Sequence, residues 1–378
     1  MHVRRLQLTD FRSWSQVDVT FPEGPSVLVG PNGHGKTNLV ESVGYLATGA
    51  SHRVAGDAPL VRHGAESAVI RAAIGHEGRE LRADLTIQPG KSNRARLNRS
   101  PLPRARDLIG VLKAVVFAPE DLSLVRGEPE QRRRMLDELL IARHPRFAGV
   151  RADYERVVRQ RNTLLRTAYL ARKTGGRGNT DLHTLDIWDR HLAQHGADLL
   201  AGRLALLESL SPYVVKAYDA VSAGRGRPQM TYQAAWADAE PLSPDRDLLT
   251  ARLAAALAAA RARETERGTT LVGPHRDDLL LRLGDLPAKG YASHGESWSY
   301  ALALRLGAAE LLRAEAVSPV LILDDVFAEL DTDRRERLAA MVTHAPQVLV
   351  TCAVAEDVPA AMTGGRFDIC DGEVNRVV

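Results

Sequence analysis

Lys36 and Thr37 close the run Gly30-Pro31-Asn32-Gly33-His34-Gly35-Lys36-Thr37. It fills every fixed position of the spacing G-x-x-x-x-G-K-[ST], by which a loop wraps a phosphate. Glycines let successive backbone N–H groups turn inward around an anion. A helix N-terminus behind them adds unpaired donors and a partial positive charge. Lys36 then reaches the β- and γ-phosphates of a nucleotide, and Thr37 offers its hydroxyl to Mg²⁺. A second place for such chemistry lies far along the chain. Asp324 and Asp325 follow the wholly apolar run Val320-Leu321-Ile322-Leu323. An acid at the carboxyl end of a buried strand is where a phosphate-loop fold holds its metal. Asp324 is therefore the expected Mg²⁺ partner of Thr37, and Asp325 the group that orients or deprotonates a water.

These side chains need a strand, a loop and a helix in that order. Ser26-Val27-Leu28-Val29 is a short apolar strand before the loop, and Leu39, Val40, Val43 and Leu46 share one helical face after it. A glycine-rich turn with a chance lysine lacks such a context. Residues 3–8 read as an edge strand, and residues 17–21 as its hairpin partner, with Arg12 between them. Strands are expected at 68–74, 81–87 and 111–117. From about 122 to 267 the pattern turns almost wholly helical, with stripes such as Tyr154, Val157, Val158, Arg161, Leu164 and Leu165. No heptad persists, so packed helices are expected rather than a long coiled coil. Gly175–Gly178 and Gly224–Pro228 read as loops between helices. Strand character returns at 270–272 and 279–283, a helix follows from about Trp298 to Ala316, and a strand at 347–351 precedes a hairpin over 367–374 that turns at Asp371-Gly372.

Three short stretches gain meaning from their order. Ser293-His294-Gly295-Glu296-Ser297 is a polar loop opening a helix, which makes a second anion-binding surface. Glu329-Leu330-Asp331 follows the acidic strand end. Thr351 ends the neighbouring strand, within reach of a γ-phosphate.

Composition narrows the class. The 378 residues hold 50 Lys and Arg against 47 Asp and Glu, a formal charge of +3, so a surface for nucleic acid must come from local clustering. Residues 121–180 carry fourteen basic and seven acidic residues, an excess larger than that of the whole chain. Lys91 to Arg106 includes six basic residues and no acid. Arg94, Arg96, Arg99, Arg132 and Arg133 are the candidate DNA contacts. Aromatic residues make up only 5% and do not interleave with these arginines, which points to backbone contacts on duplex or gapped DNA rather than base stacking. Two cysteines give no disulfide framework. Met1 to Phe11 has no secretion-signal character, and no apolar run approaches the ~20 residues that span a bilayer. A cytoplasmic location without membrane partners is expected.

The chain resembles the ATP-binding-cassette ATPases, in the branch with SMC-like head domains, and within it the recombination-mediator ATPases of bacterial DNA repair. The residues carrying the resemblance are Leu8–Ser13, Gly30–Thr37, Gly49–Arg53, Phe117–Leu122, Gln131–Asp137, Gly273–Asp278 and Leu323–Asp331. The resemblance implies an α/β fold: an ATPase head built from both chain ends (1–121 and 268–378) with an inserted α-helical lobe (122–267). It implies ATP and Mg²⁺ as cofactors, with Arg12 and Asn38 joining the phosphate-loop contacts. Ser293 and Gly295 become the signature residues that cap the ATP of a second copy, and Asp331 the aspartate loop. An ATP-dependent homodimer, DNA gaps, recombinase loading, partner recombination mediators and roles in replication and the SOS response are implied likewise. The pattern departs in three places: His294 replaces a signature glycine, Asp325 stands where many members have glutamate, and Thr351 where transporters have histidine. Two other classes compete. One is the ATP-hydrolysing subunit of a transporter, against which the helical insertion and Thr351 count. The other is a GTPase or small kinase, for which the N/T-K-x-D guanine-reading segment is missing.

Overall fold

In a computed structural model, residues 1–173, 183–224, 226–237, 241–362 and 364–377 are described. The strands and helices follow in order: β1 (His2–Phe11), β2 (Trp14–Thr20), β3 (Gly24–Val29), α1 (Lys36–Thr48), β4 (Ala68–His76), β5 (Arg79–Ile87), β6 (Arg94–Leu97), β7 (Ser100–Pro101), β8 (Ala114–Phe117), α2 (Leu122–Arg126), α3 (Pro129–Arg143), α4 (Phe147–Lys173), α5 (His183–Ser222), β9 (Pro228–Gln233), α6 (Arg246–Arg267), β10 (Asp278–Leu283), β11 (Leu286–Pro287), α7 (Ala288–Tyr291), α8 (His294–Ala314), β12 (Val320–Asp324), α9 (Thr332–Val342), β13 (Gln347–Cys352), β14 (Gly365–Cys370) and β15 (Glu373–Arg376). The chain divides into two compact units, one of Met1–Arg126, Pro212–Pro228 and Ala288–Val378, the other of Gly127–Ser211 and Gln229–Pro287. Relative to the expected boundaries, residues 122–126 and 212–228 go with the head and 268–287 with the lobe.

The head holds two six-stranded sheets. One is mixed, in the order β15-β14-β3-β13-β12-β8, and parallel from β14 to β8. Every residue of β12 and β13 is buried, as expected for strands covered on both faces. The other sheet, β2-β1-β4-β5-β6-β7, is antiparallel. Its inward side chains, Leu6, Leu8, Ile70 and Leu85 among them, join Leu39 and Val43 of α1 and Ile322 and Leu349 of the parallel sheet in one apolar cluster. Gln347 staples the two sheets, its side-chain amide accepting from Val3 N at 2.7 Å and donating to Val3 O at 2.8 Å. β1 is not the edge strand expected of it. β4 returns after α1 and pairs with its far side, leaving β2 at the edge.

The lobe is built on α3, α4, α6 and most of α5, but it also carries a three-stranded sheet, β11-β10-β9. β9 was missed because its six residues, PQMTYQ, are largely polar. The strand expected at Thr270–Val272 is absent. Its backbone is satisfied by side chains instead: Asn162 Oδ1 accepts from Thr270 N and Glu264 Oε1 from Leu271 N, each at 2.7 Å. The loop expected at Gly175–Gly178 lies outside the described residues, as does Arg225.

Candidate nucleotide site and capping loop

The phosphate loop joins the end of β3 to the first residue of α1. Gly33 and Gly35 have φ of +88° and +97°, the left-handed region in which a side chain is strained. The β1–β2 turn braces the loop from behind, where Trp14 Nε1 donates to Gly35 O at 3.1 Å. A Cβ on Gly35 would press on that indole at 2.9 Å. The Lys36 side chain is 3% exposed, and its ammonium folds back across the loop, donating to Pro31 O at 3.1 Å and lying 3.4 Å from Asn32 Oδ1.

The acids at the end of β12 meet this loop. Asp324 Oδ1 accepts from Thr37 Oγ1 at 2.8 Å and from Thr351 Oγ1 at 2.6 Å, so three elements expected separately converge on one carboxylate oxygen. Thr351 Oγ1 in turn accepts from Asp325 N at 2.9 Å. Hydroxyl and carboxylate oxygens gathered this way are the hard donors that Mg²⁺ takes. Asp325 has φ +51°, and burial together with the neighbouring Asp324 charge raises its carboxyl above the ordinary value. The sequence did not single out His52. Its Nε2 is buried without a hydrogen-bond partner and lies 3.6 Å from Asp324 Oδ2. The polar segment Gly49–Arg53 marks a loop, and no spacing rule tells that it turns back to the Asp324 carboxylate.

Arg12 and Asn38 belong to an adjoining network. Arg12 grips the buried Glu41 through Nε at 2.9 Å and Nη2 at 2.6 Å, and donates to Pro59 O at 3.0 Å. Asn38 donates to Ser13 Oγ and accepts from Arg53, each at 2.9 Å. Ser51 donates to the same Glu41. Glu41, one turn after Thr37, was not singled out, because an acid inside an apolar helical face gives no signal of its partner.

Ser293 caps α8, which starts earlier than the expected Trp298. Its Oγ accepts from Glu296 N at 3.3 Å, and Ser293 N donates to Glu296 Oε2 at 2.8 Å, a reciprocal box that holds the Glu296 carboxyl below its usual value. Gly295 packs against a guanidinium, and a Cβ there would meet Arg334 at 2.9 Å. Asp331 caps α9 by accepting from Arg334 N at 2.9 Å, and the Arg334 side chain pairs with it. Arg334 Nε also reaches Ser299 Oγ at 3.3 Å, so this arginine ties the Ser293 loop to Asp331.

Of the candidate DNA contacts, Arg94 and Arg96 project from the exposed positions of β6, and Arg99 from the adjoining β6–β7 turn at φ +73°. Arg132 and Arg133 require correction. Arg132 is buried and makes a bidentate pair with Asp278 at 2.7 and 2.9 Å, while Arg133 donates to Asp277 O at 2.6 Å. The amphipathic α3 turns these charges inward, where a carboxylate and a carbonyl replace water, so they hold the lobe together.

A nucleotide-gripping loop closed by a strand-end acid on a parallel sheet, with a serine-capped helix elsewhere on the same head, defines an ABC-type ATPase head. The sequence pattern of the RecF/RecN/SMC N-terminal domain family matches residues 2–364. Two full-length relatives share 59% and 58% identity with complete coverage of both chains, the DNA replication and repair proteins RecF of Streptomyces avermitilis and Frankia alni. The chain belongs to the RecF family. Solved structures of the recombination mediator protein RecF of the RecFOR pathway, as RecF-ATPrS and RecF-ATP, superpose with TM-scores of 0.88 at 25% and 26% identity, covering all of this chain and 98% of theirs. An SMC head bound to the C-terminal winged-helix domain of ScpA superposes at 0.56 with 15% identity, over all of this chain and 97% of that one, a likeness of fold.

Proposed function

We propose that this protein is an ATP-driven switch of recombinational DNA repair, in which nucleotide joins two copies and the joined form holds DNA at gaps for recombinase loading. The observation that carries this reading is the convergence of the Thr37 and Thr351 hydroxyls on one buried oxygen of Asp324, at the end of the loop that holds Lys36. ATP lies in the loop, its phosphates met by backbone N–H groups and by Lys36, which leaves Pro31 O to do so. Mg²⁺, held by Thr37 and Asp324, would neutralise charge between the β- and γ-phosphates. Asp325 accepts a proton from the attacking water. Ser293 and the N-terminus of α8 in the second copy donate to the γ-phosphate and close the site. Hydrolysis removes the group that both copies share, so they part. The transporter reading has no counterpart among the full-length relatives above. Among the described residues no helix is long and apolar enough to cross a membrane.

Sedimentation with a non-hydrolysable triphosphate, magnesium and gapped duplex tests the switch. A dimer is expected with nucleotide, and a protein that stays single at high concentration would exclude it. Ser293→Arg should bind nucleotide as a monomer yet fail to dimerise. Losing the cap costs only about 1 kcal/mol of helix stability, so the fold survives.

DNA binding by the antiparallel sheet is tested by replacing Arg94, Arg96 and Arg99 together with alanine. Each arginine that no longer neutralises a phosphate lowers the slope of log affinity against log salt by about 0.9. Arg96 faces Asp84 across the strand pair and counts for less, so a fall of about 2 is expected. An unchanged slope would rule out this face.

A further inference from the structure

We propose that His34, Cys370 and Asp371 form a binding site for a transition-metal dication of the Zn²⁺ type, which clamps the closing β-hairpin onto the phosphate loop. This goes beyond the ATP switch and does not depend on it.

The parallel pairing of β14 with β3 places Asp368 beside Val29, so the β14–β15 turn sits next to the loop that follows β3. Loop and hairpin are in direct contact, since a Cβ on Gly30 would fall 2.1 Å from Ile369 O. Asp371, at φ +50°, donates its backbone N–H to His34 Nδ1 at 3.2 Å, a bond that ligation through that nitrogen would replace, and its carboxylate lies 3.8 Å from the same nitrogen. Cys370 completes the trio: one ligand atom from each residue falls within 4.8 Å of the others.

The three ligand types decide the ion. Imidazole, thiolate and carboxylate together suit Zn²⁺ or Co²⁺, whereas Mg²⁺ takes oxygen alone and belongs with Thr37 and Asp324. With bonds of 2.0–2.3 Å, tetrahedral ligand atoms sit about 3.4 Å apart. The trio therefore has to draw in by about 1.4 Å at most, which rotation about χ1 of the exposed Cys370 and Asp371 supplies. Three protein ligands leave a fourth position for water. The other cysteine, Cys352, is buried, so thiolate ligation in the folded protein is assignable to Cys370.

Cobalt titration of the nucleotide-free, full-length protein tests the site. One equivalent should bind with a thiolate-to-cobalt charge-transfer band, be displaced by Zn²⁺, and be indifferent to excess Mg²⁺. Hydrogen exchange of the 368–374 segment should slow when Zn²⁺ is added. Cys370→Ser should abolish the band, His34→Ala should weaken binding at least about tenfold, and Cys352→Ala should change neither. Absence of the charge-transfer band, or its survival in Cys370→Ser, overturns the proposal. Because no nucleotide is present, failure here leaves the ATP reading untouched, and failure of ATP to bind leaves the cobalt result standing.

Discussion

Lys36→Ala is expected to weaken Mg-ATP binding on the order of 100-fold and to abolish nucleotide-dependent dimerisation. The Lys36 amine is nearly sealed from solvent, so a phosphate that meets it does so in a medium where water screens little. Truncating one partner of such a desolvated charged pair costs about 3 kcal/mol, which is roughly 150-fold in affinity. The fold should be spared. Alanine favours the first turn of α1, and the carbonyl of Pro31 and amide of Asn32 that lose the ammonium lie at the loop, within reach of water. Calorimetric titration gives the affinity, and a thermal midpoint close to the parent's separates lost binding from lost structure. Unchanged affinity would remove Lys36 from the site and the phosphate loop from the nucleotide.

The two ends of that site differ in how far the sequence exposes them. Gly30–Thr37 and Asp324 could be found from residue type and local order, because a loop between strand and helix and an acid at a strand end are short-range patterns. The parallel pairing of β12 with β13, which brings Thr351 to Asp324, was likewise expected from two apolar runs. The contacts that return from a distance were hidden. His52 reaches Asp324 across a gap in sequence of 272 positions, and Arg12 finds Glu41 through a turn whose φ of +55° no periodicity announces. Charge counting failed for a related reason. It treats Arg132 and Arg94 alike, yet α3 buries the first against Asp278 while β6 exposes the second. The segment Gly273–Asp278 shows the same limit. It carried the resemblance without a role, and the structure makes it a packing junction of the lobe. There His275 meets Tyr154 OH at 2.6 Å, and Asp277 accepts from Trp236 Nε1 at 2.8 Å and Tyr232 OH at 3.0 Å, its carboxyl pushed up by burial to about 7.

Arg161→Met is expected to destabilise the lobe by about 3–5 kcal/mol while leaving nucleotide binding to the head intact. Arg161 sits in the apolar stripe of α4 and is 0% exposed, an arginine at the place of a core residue. It donates to Asp189 of α5 at 2.7 Å, to Glu264 of α6 at 2.6 Å and to Thr270 Oγ1 at 3.0 Å, so one guanidinium ties three helices and the irregular segment after them. Methionine fills much of the same volume but leaves the fully buried Glu264 carboxylate with the single N–H of Leu271. An uncompensated buried charge is the larger penalty, which is why removing one partner costs more than removing both. The double variant Arg161→Met, Glu264→Gln should therefore recover a large part of the loss, a non-additivity that a merely steric defect would not produce. A fall of the thermal midpoint on the order of 10 °C follows for a unit of this size. A single variant within about 1 kcal/mol of the parent, or a double variant worse than the single, would show that the lobe is held by its apolar stripes alone and that the buried network is incidental.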